Sequence, residues 1–163
     1  MKIYGITGWK NTGKTTLTES LVTEMVGRGL RVATVKHAHH DTEIDHPGRD
    51  SFRHRAAGAG QVLVSSPQRW ALMTELRGAP EPNLADLLLR LDPCDLVLIE
   101  GYKQAPHPKI ETHRVAAARG LLAPGNPTIR AIASDVPQDV SLPVFDLDDV
   151  RAIADFILRE VAL

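Results

Sequence analysis

Apolar residues along the chain come in short bursts, and bursts of two kinds alternate. Residues 2–7, Lys-Ile-Tyr-Gly-Ile-Thr, read as a strand; from Leu17 to Val26 the pattern reads as a helix. Residues 30–36, rich in β-branched side chains, predict a second strand, and residues 50–57 a short helix with Asp50 as candidate N-cap. Two strands are expected at 61–65 and 69–74, joined at Ser66-Pro67, and a helix over 84–90 capped by Asn83. The run Asp95-Leu-Val-Leu-Ile99, bounded by Pro93 and Gly101, is apolar almost without interruption, the signature of a central parallel strand covered on both faces. Ile110 between Lys109 and Glu111 suggests a short strand with alternating faces. Strands follow at 128–133 and 142–145, and Asp148 or Asp149 opens a terminal helix reaching about Glu160. This alternation predicts an α/β fold over one domain, 1–163: a mostly parallel twisted sheet with helices on both faces.

Between the first strand and first helix lies Gly8-Trp-Lys-Asn-Thr-Gly-Lys-Thr-Thr16, the full G-x-x-x-x-G-K-[ST] pattern of a P-loop nucleoside triphosphatase. Gly8 and Gly13 let the backbone turn tightly and bring N–H groups against oxyanions. Lys10, Asn11 and Thr12 wrap the phosphates between them. The helix from Lys14 points its positive end at the same place. Lys14 can reach the β- and γ-phosphates, the Thr15 hydroxyl can ligate Mg²⁺, and Thr16 can bond an inner phosphate.

Composition narrows the setting. With 163 residues the chain is long enough for a proper core, and a net charge of −1 gives no general call for nucleic acid or anionic membrane. The lone Cys94 excludes an internal disulfide and suits a reducing compartment. No stretch is apolar enough to span a membrane, and the P-loop begins too early for a signal peptide. A cytoplasmic protein is expected.

A P-loop needs an acid near its magnesium, and Glu100 stands at the carboxyl end of the apolar strand, where active-site groups of such sheets gather. Asp95 starts that strand, about 16 Å away, too far to share the metal. Five of the seven histidines fall between 37 and 54, among Asp41, Asp45 and Asp50. Two readings compete there: a transition-metal site, or a polar loop facing the nucleotide in which these aspartates position magnesium or water. Past Glu100, the cations Lys103, Lys109 and Arg114 could hold phosphate oxygens or an acidic ligand.

Three blocks, GWKNTGKTTL, TVKHAHHD with HPGRDSFRHRAAGA, and LIEGYK followed by PKIETHR, together resemble the molybdopterin-guanine dinucleotide biosynthesis protein B (MobB) family, up to about Asp135. Its members are P-loop GTPases of the signal-recognition/MinD/BioD type. The resemblance implies GTP and Mg²⁺ as ligands, weak GTPase activity, and a cytoplasmic homodimer. It also implies an adapter role beside the guanylyltransferase that joins GMP to molybdopterin, with molybdopterin itself a candidate ligand. It places guanine reading at Ile132-Ala-Ser-Asp135, where Asp135 matches the family motif but the usual Asn/Thr and Lys are missing. Two other classes share the architecture: a nickel-delivering GTPase, which the histidines would serve, and a small-molecule P-loop kinase.

Overall fold

The computed structural model describes every residue except 39–42. It contains two compact units, residues 1–38 with 91–163, and residues 39–90.

The larger unit is a six-stranded, all-parallel sheet. Its strands are β1 (Lys2–Gly8), β2 (Val32–Lys36), β5 (Leu96–Glu100), β6 (Lys109–His113), β7 (Ile129–Ser134) and β8 (Val144–Asp146), in the spatial order β2-β5-β1-β6-β7-β8. The sheet carries α1 (Lys14–Gly27) and α4 (Val150–Val161), which pack against each other and against β1. Leu17, Leu21 and Met25 of α1 meet Ile153, Ala154 and Ile157 of α4 over Tyr4, Ile6, Leu96 and Leu98. Each such aliphatic side chain, fully buried, contributes about 1.5–3 kcal/mol. Val97, Ile99 and Ile132 are buried as well. The alternate residues of β5 therefore lose water on both faces, which is why its sequence is unbroken in apolar character. The parallel sheet and the P-loop place the chain in the α/β P-loop class.

The smaller unit holds α2 (Asp50–Ala56), the antiparallel hairpin β3 (Gln61–Ser65) and β4 (Trp70–Thr74), and α3 (Leu84–Leu88). The two hairpin strands form a sheet of their own. Asn83 caps α3, its side chain accepting from the Asp86 N–H. Arg49, not Asp50, occupies the N-cap of α2; Asp50 lies in the first turn, where its charge still suits the helix dipole.

β6 departs from the expected alternation. All five of its residues are buried, because β1 and β7 flank it and both of its faces are covered. Among the described residues, no helix is long and apolar enough to cross a membrane.

Candidate functional site

The loop after β1 and the start of α1 form one wall of a cleft at the carboxyl ends of the strands. Gly8 (φ +146) lies hard against β6: a Cβ there would stand 2.5 Å from the Thr112 carbonyl oxygen. Gly13 (φ +96) sits in the left-handed region as the N-cap of α1, with the Arg114 guanidinium 3.2 Å from where its Cβ would be. Thr12 is buried and fixes the loop from inside, its hydroxyl 2.9 Å from the Trp9 carbonyl and 2.8 Å from the Thr112 hydroxyl. α3 and α4 receive side-chain caps from Asn83 and Asp149, whereas Gly13 gives α1 none. The first N–H groups of α1 thus open onto the cleft, the arrangement that binds anions at a helix N-terminus.

The cleft measures about 550 Å³ and is lined by Lys10, Asn11, Gly13, Lys14, Thr15, Thr16, Glu100 and Arg114. The Lys14 ammonium donates to the Trp9 carbonyl. Burial holds Lys14 below its ordinary pKa; Glu100 opposes that shift, and the neighbouring Lys103 and Lys36 add to it. The Thr15 hydroxyl lies 3.0 Å from Glu100 Oε1, and the Lys36 ammonium 3.4 Å from the same oxygen. Glu100 reaches this point by strand register. It ends β5 between Ile6 of β1 and Lys36 of β2, its direct partners. Two hard oxygens, one hydroxyl and one nearly buried carboxylate, stand together as magnesium prefers. Residues of the right kind to hold a magnesium-bound nucleoside triphosphate are therefore present.

The expected site residues divide sharply. Lys10, Asn11, Gly13, Lys14, Thr15 and Thr16 line the cleft with Glu100 and Arg114, whereas Gly8 and Thr12 pack against Thr112 and do not line it. Lys103 stands beside it, its ammonium 4.5 Å from the centroid of the Trp9 ring. Lys109 turns away from it. It is fully buried, and its ammonium donates to the Ala105 and His107 carbonyls and to the Thr128 hydroxyl at 2.7–2.8 Å. Burial lowers it to about 8, and those three acceptors use all of its donors. An anion-holding role for Lys109 is corrected accordingly: it is a structural cation.

Asp45 and Asp50 belong to the smaller unit. Asp45 lies 3.8 Å from Arg55, which also pairs with Glu43 and Glu75, while the exposed Asp50 pairs with Arg53 at 3.6 Å. His39, His40 and Asp41 lie outside the described residues. Among the described residues, no three His, Cys, Asp or Glu side chains gather as a metal site.

Asp135 follows β7 and lines a second cavity, of about 370 Å³, with Ser134, Gln138, Phe145 and Asp146. One strand, β6, separates β7 from the P-loop strand β1, so these two strands run about 10 Å apart in the same sheet. Asp135 Oδ1 accepts the Val115 N–H at 3.0 Å. Beneath it, the Gln138 amide donates to the Ser134 hydroxyl at 3.1 Å and lies 3.2 Å from His113 Nδ1.

Comparison with known proteins decides the family. The family described as "Molybdopterin guanine dinucleotide synthesis protein B" matches residues 3–135, from the P-loop strand through Asp135. The chain belongs to the MobB family. The "Molybdopterin-guanine dinucleotide biosynthesis adapter protein" of Escherichia coli (strain K12) is 40% identical over 160 residues, covering 96% of this chain and 91% of the relative. The adapter protein of the same description from Haemophilus influenzae is 39% identical over 158 residues, covering 95% and 86%. The crystal structure of a MobB protein homolog from Bacillus stearothermophilus superposes with a TM-score of 0.71 at 31% identity, covering 99% of both chains.

Four residues at this MobB site escaped the sequence reading. Lys36 reaches Glu100 because β2 and β5 pair in register; its place at the end of a strand was the only clue. Trp9 occupies a position that the P-loop pattern leaves free, and its indole donates to the Gly120 carbonyl at 2.8 Å. Arg119 lies 5.5 Å from the centre of the same ring, and Thr112 meets Thr12 from across 100 residues. No short-range pattern signals any of these contacts.

Proposed function

We propose that this MobB protein is a GTP-binding adapter with weak GTPase activity in molybdopterin-guanine dinucleotide biosynthesis. Its partner is the guanylyltransferase that joins GMP to molybdopterin, and it works in the cytoplasm as a homodimer. The observation that carries this reading is the Thr15–Glu100 pair at the uncapped head of α1, in a chain so similar to proteins described as adapters of that synthesis.

Gly8 through Thr16 would enclose the triphosphate, Lys14 would hold the outer phosphates, and Thr15 with Glu100 would take the magnesium. Bound magnesium would neutralise charge on the β- and γ-phosphates. Lys36 pairs with Glu100 at 3.4 Å and helps to orient it, and Arg114 adds a cation beside the glycine loop. Asp135 would read the base. None of these groups is a strong general base, which accords with slow hydrolysis.

Glu100→Gln keeps the size of the side chain but removes its charge. It is expected to lower magnesium-dependent GTP hydrolysis about tenfold or more, while GTP affinity in EDTA changes less than threefold. Equal losses in both measurements would make Glu100 a structural residue. The basic rim gives a second expectation. Arg114→Ala and Lys103→Ala should each weaken GTP binding about threefold to tenfold and abolish any sulfate bound beside the loop in crystals. Lys109→Met should leave both unchanged and lower the melting temperature instead. Sulfate density that survives the first two substitutions would remove the rim from the site. The adapter role itself is tested by capturing the protein from cytosol and identifying the bound protein by mass spectrometry; recovery without a molybdopterin guanylyltransferase counts against it.

A further inference from the structure

Trp9 has both of its polar ends committed, and to different parts of the molecule. Its carbonyl accepts from the Lys14 ammonium and the Thr12 hydroxyl, the groups that give the P-loop its shape. Its indole N–H donates to Gly120, 111 residues further along, in the segment between β6 and β7. That segment is exposed along most of residues 115–120 and makes two short 3₁₀ turns, Val115–Ala117 and Ala123–Gly125. From the sheet side it is pinned by two acids. At its start Asp135 Oδ1 accepts the Val115 N–H at 3.0 Å. The fully buried Glu111 carboxylate accepts the Leu122 and Ala123 N–H groups at 2.7 and 2.9 Å.

The segment therefore has three anchors: Asp135 at its start, Glu111 at its end, and between them an indole carried by the phosphate loop. Arg114 and Arg119 lie at the start and middle of the span they hold, one beside Gly13 and the other over the Trp9 ring. Glu111 sits buried in a strand paired on both sides. Asp135 would meet the base, whereas the Trp9 carbonyl holds the Lys14 ammonium that the phosphates would engage, so Trp9 is the anchor that answers to the phosphates.

We propose that Trp9 is a positioning residue that transmits the state of the P-loop to residues 115–121, so that nucleotide binding orders this exposed segment. The proposal rests on the nucleotide-binding reading and adds to it the place where the bound state becomes visible at the surface. The P-loop pattern does not ask for tryptophan at position 9. The indole N–H supplies a directional bond that phenylalanine lacks, whereas both rings present a face to Lys103 and Arg119.

Hydrogen exchange of the full-length protein, followed by mass spectrometry with and without Mg²⁺ and a non-hydrolysable GTP analogue, tests it. Calorimetry on the same samples measures binding. In the wild type the analogue should slow exchange across 115–121 about threefold to tenfold, the scale of one hydrogen bond. With the analogue at a concentration that calorimetry shows to be saturating for each protein, Trp9→Phe should protect α1 but lose the effect at 115–121; Trp70→Phe should behave as wild type. An equal effect in Trp9→Phe, or none in a wild type that binds the analogue, overturns the relay while leaving the nucleotide site standing. No binding in the wild type overturns both.

Discussion

Lys14→Ala removes measurable binding of Mg·GTP and leaves the protein folded. The ammonium belongs to the first residue of α1 and lines the cleft, and each charge-assisted hydrogen bond it gives a phosphate contributes about 1.5–3 kcal/mol. With bonds to both outer phosphates, the affinity falls about a hundredfold or more. The fold does not depend on the side chain in the same way. Its only hydrogen bond among the described residues goes to the Trp9 carbonyl, which keeps Thr12 as a donor when Lys14 is truncated. Thermal unfolding separates the two effects. Ligand at a hundred times its dissociation constant stabilises the wild type by about 2.7 kcal/mol, a rise of several degrees for a chain of this size. The mutant should melt close to the unliganded wild type and gain nothing from GTP. An unchanged affinity by calorimetry would sink the P-loop assignment.

Asp135→Asn is expected to move nucleotide preference from guanine toward xanthine. Guanine presents two adjacent donors, N1–H and the C2 amino group, and a carboxylate offers an acceptor to each. Adenine has an acceptor at N1 and no amino group at C2, so the carboxylate meets repulsion, and that penalty does much of the selecting. Xanthine keeps N1–H but carries a carbonyl at C2. Asparagine fits that pattern with one acceptor and one donor. The local structure favours the experiment, because asparagine Oδ1 can still accept the Val115 N–H that Asp135 holds now. The loss of one charge-assisted pair predicts a fall of about tenfold to a hundredfold in GTP affinity, with a gain for xanthosine triphosphate. Competition between the two nucleotides shows the crossover. A mutant that retains its GTP preference has its base read elsewhere.

What could be seen in the sequence was whatever a few adjacent residues decide. The P-loop is a contiguous pattern, and the structure keeps its strand, loop and helix within a residue or two of expectation. Glu100 was visible because an apolar strand announces its own end. Lys109 was misread because a lysine and a glutamate around one isoleucine look half exposed, and only the tertiary structure shows acceptors for the ammonium, two of them carbonyls in the preceding turn. Glu111 was missed for the same reason, its partners being N–H groups of a later loop. Lys36 and Trp9 depend on which strands become neighbours. Hydrophobic patterning predicts strands but not their order, and the order puts Lys36 beside Glu100.

That order also sets a schedule for biosynthesis. β1 is made first, yet it lies between β5 and β6, whose pairing residues come 94 to 104 positions later in the register Lys2↔Leu96 and Gly5↔Lys109. Contacts so distant along the chain close late, after most of the loop entropy between them has been lost. The phosphate loop thus leaves the ribosome about 100 residues ahead of Thr112, against which Gly8 and Thr12 rest, and cannot take its shape until that residue has followed. A nascent chain stopped before β6 should carry the whole binding motif and hold no nucleotide, so acquisition of GTP would mark a chain in which β6 has closed onto β1.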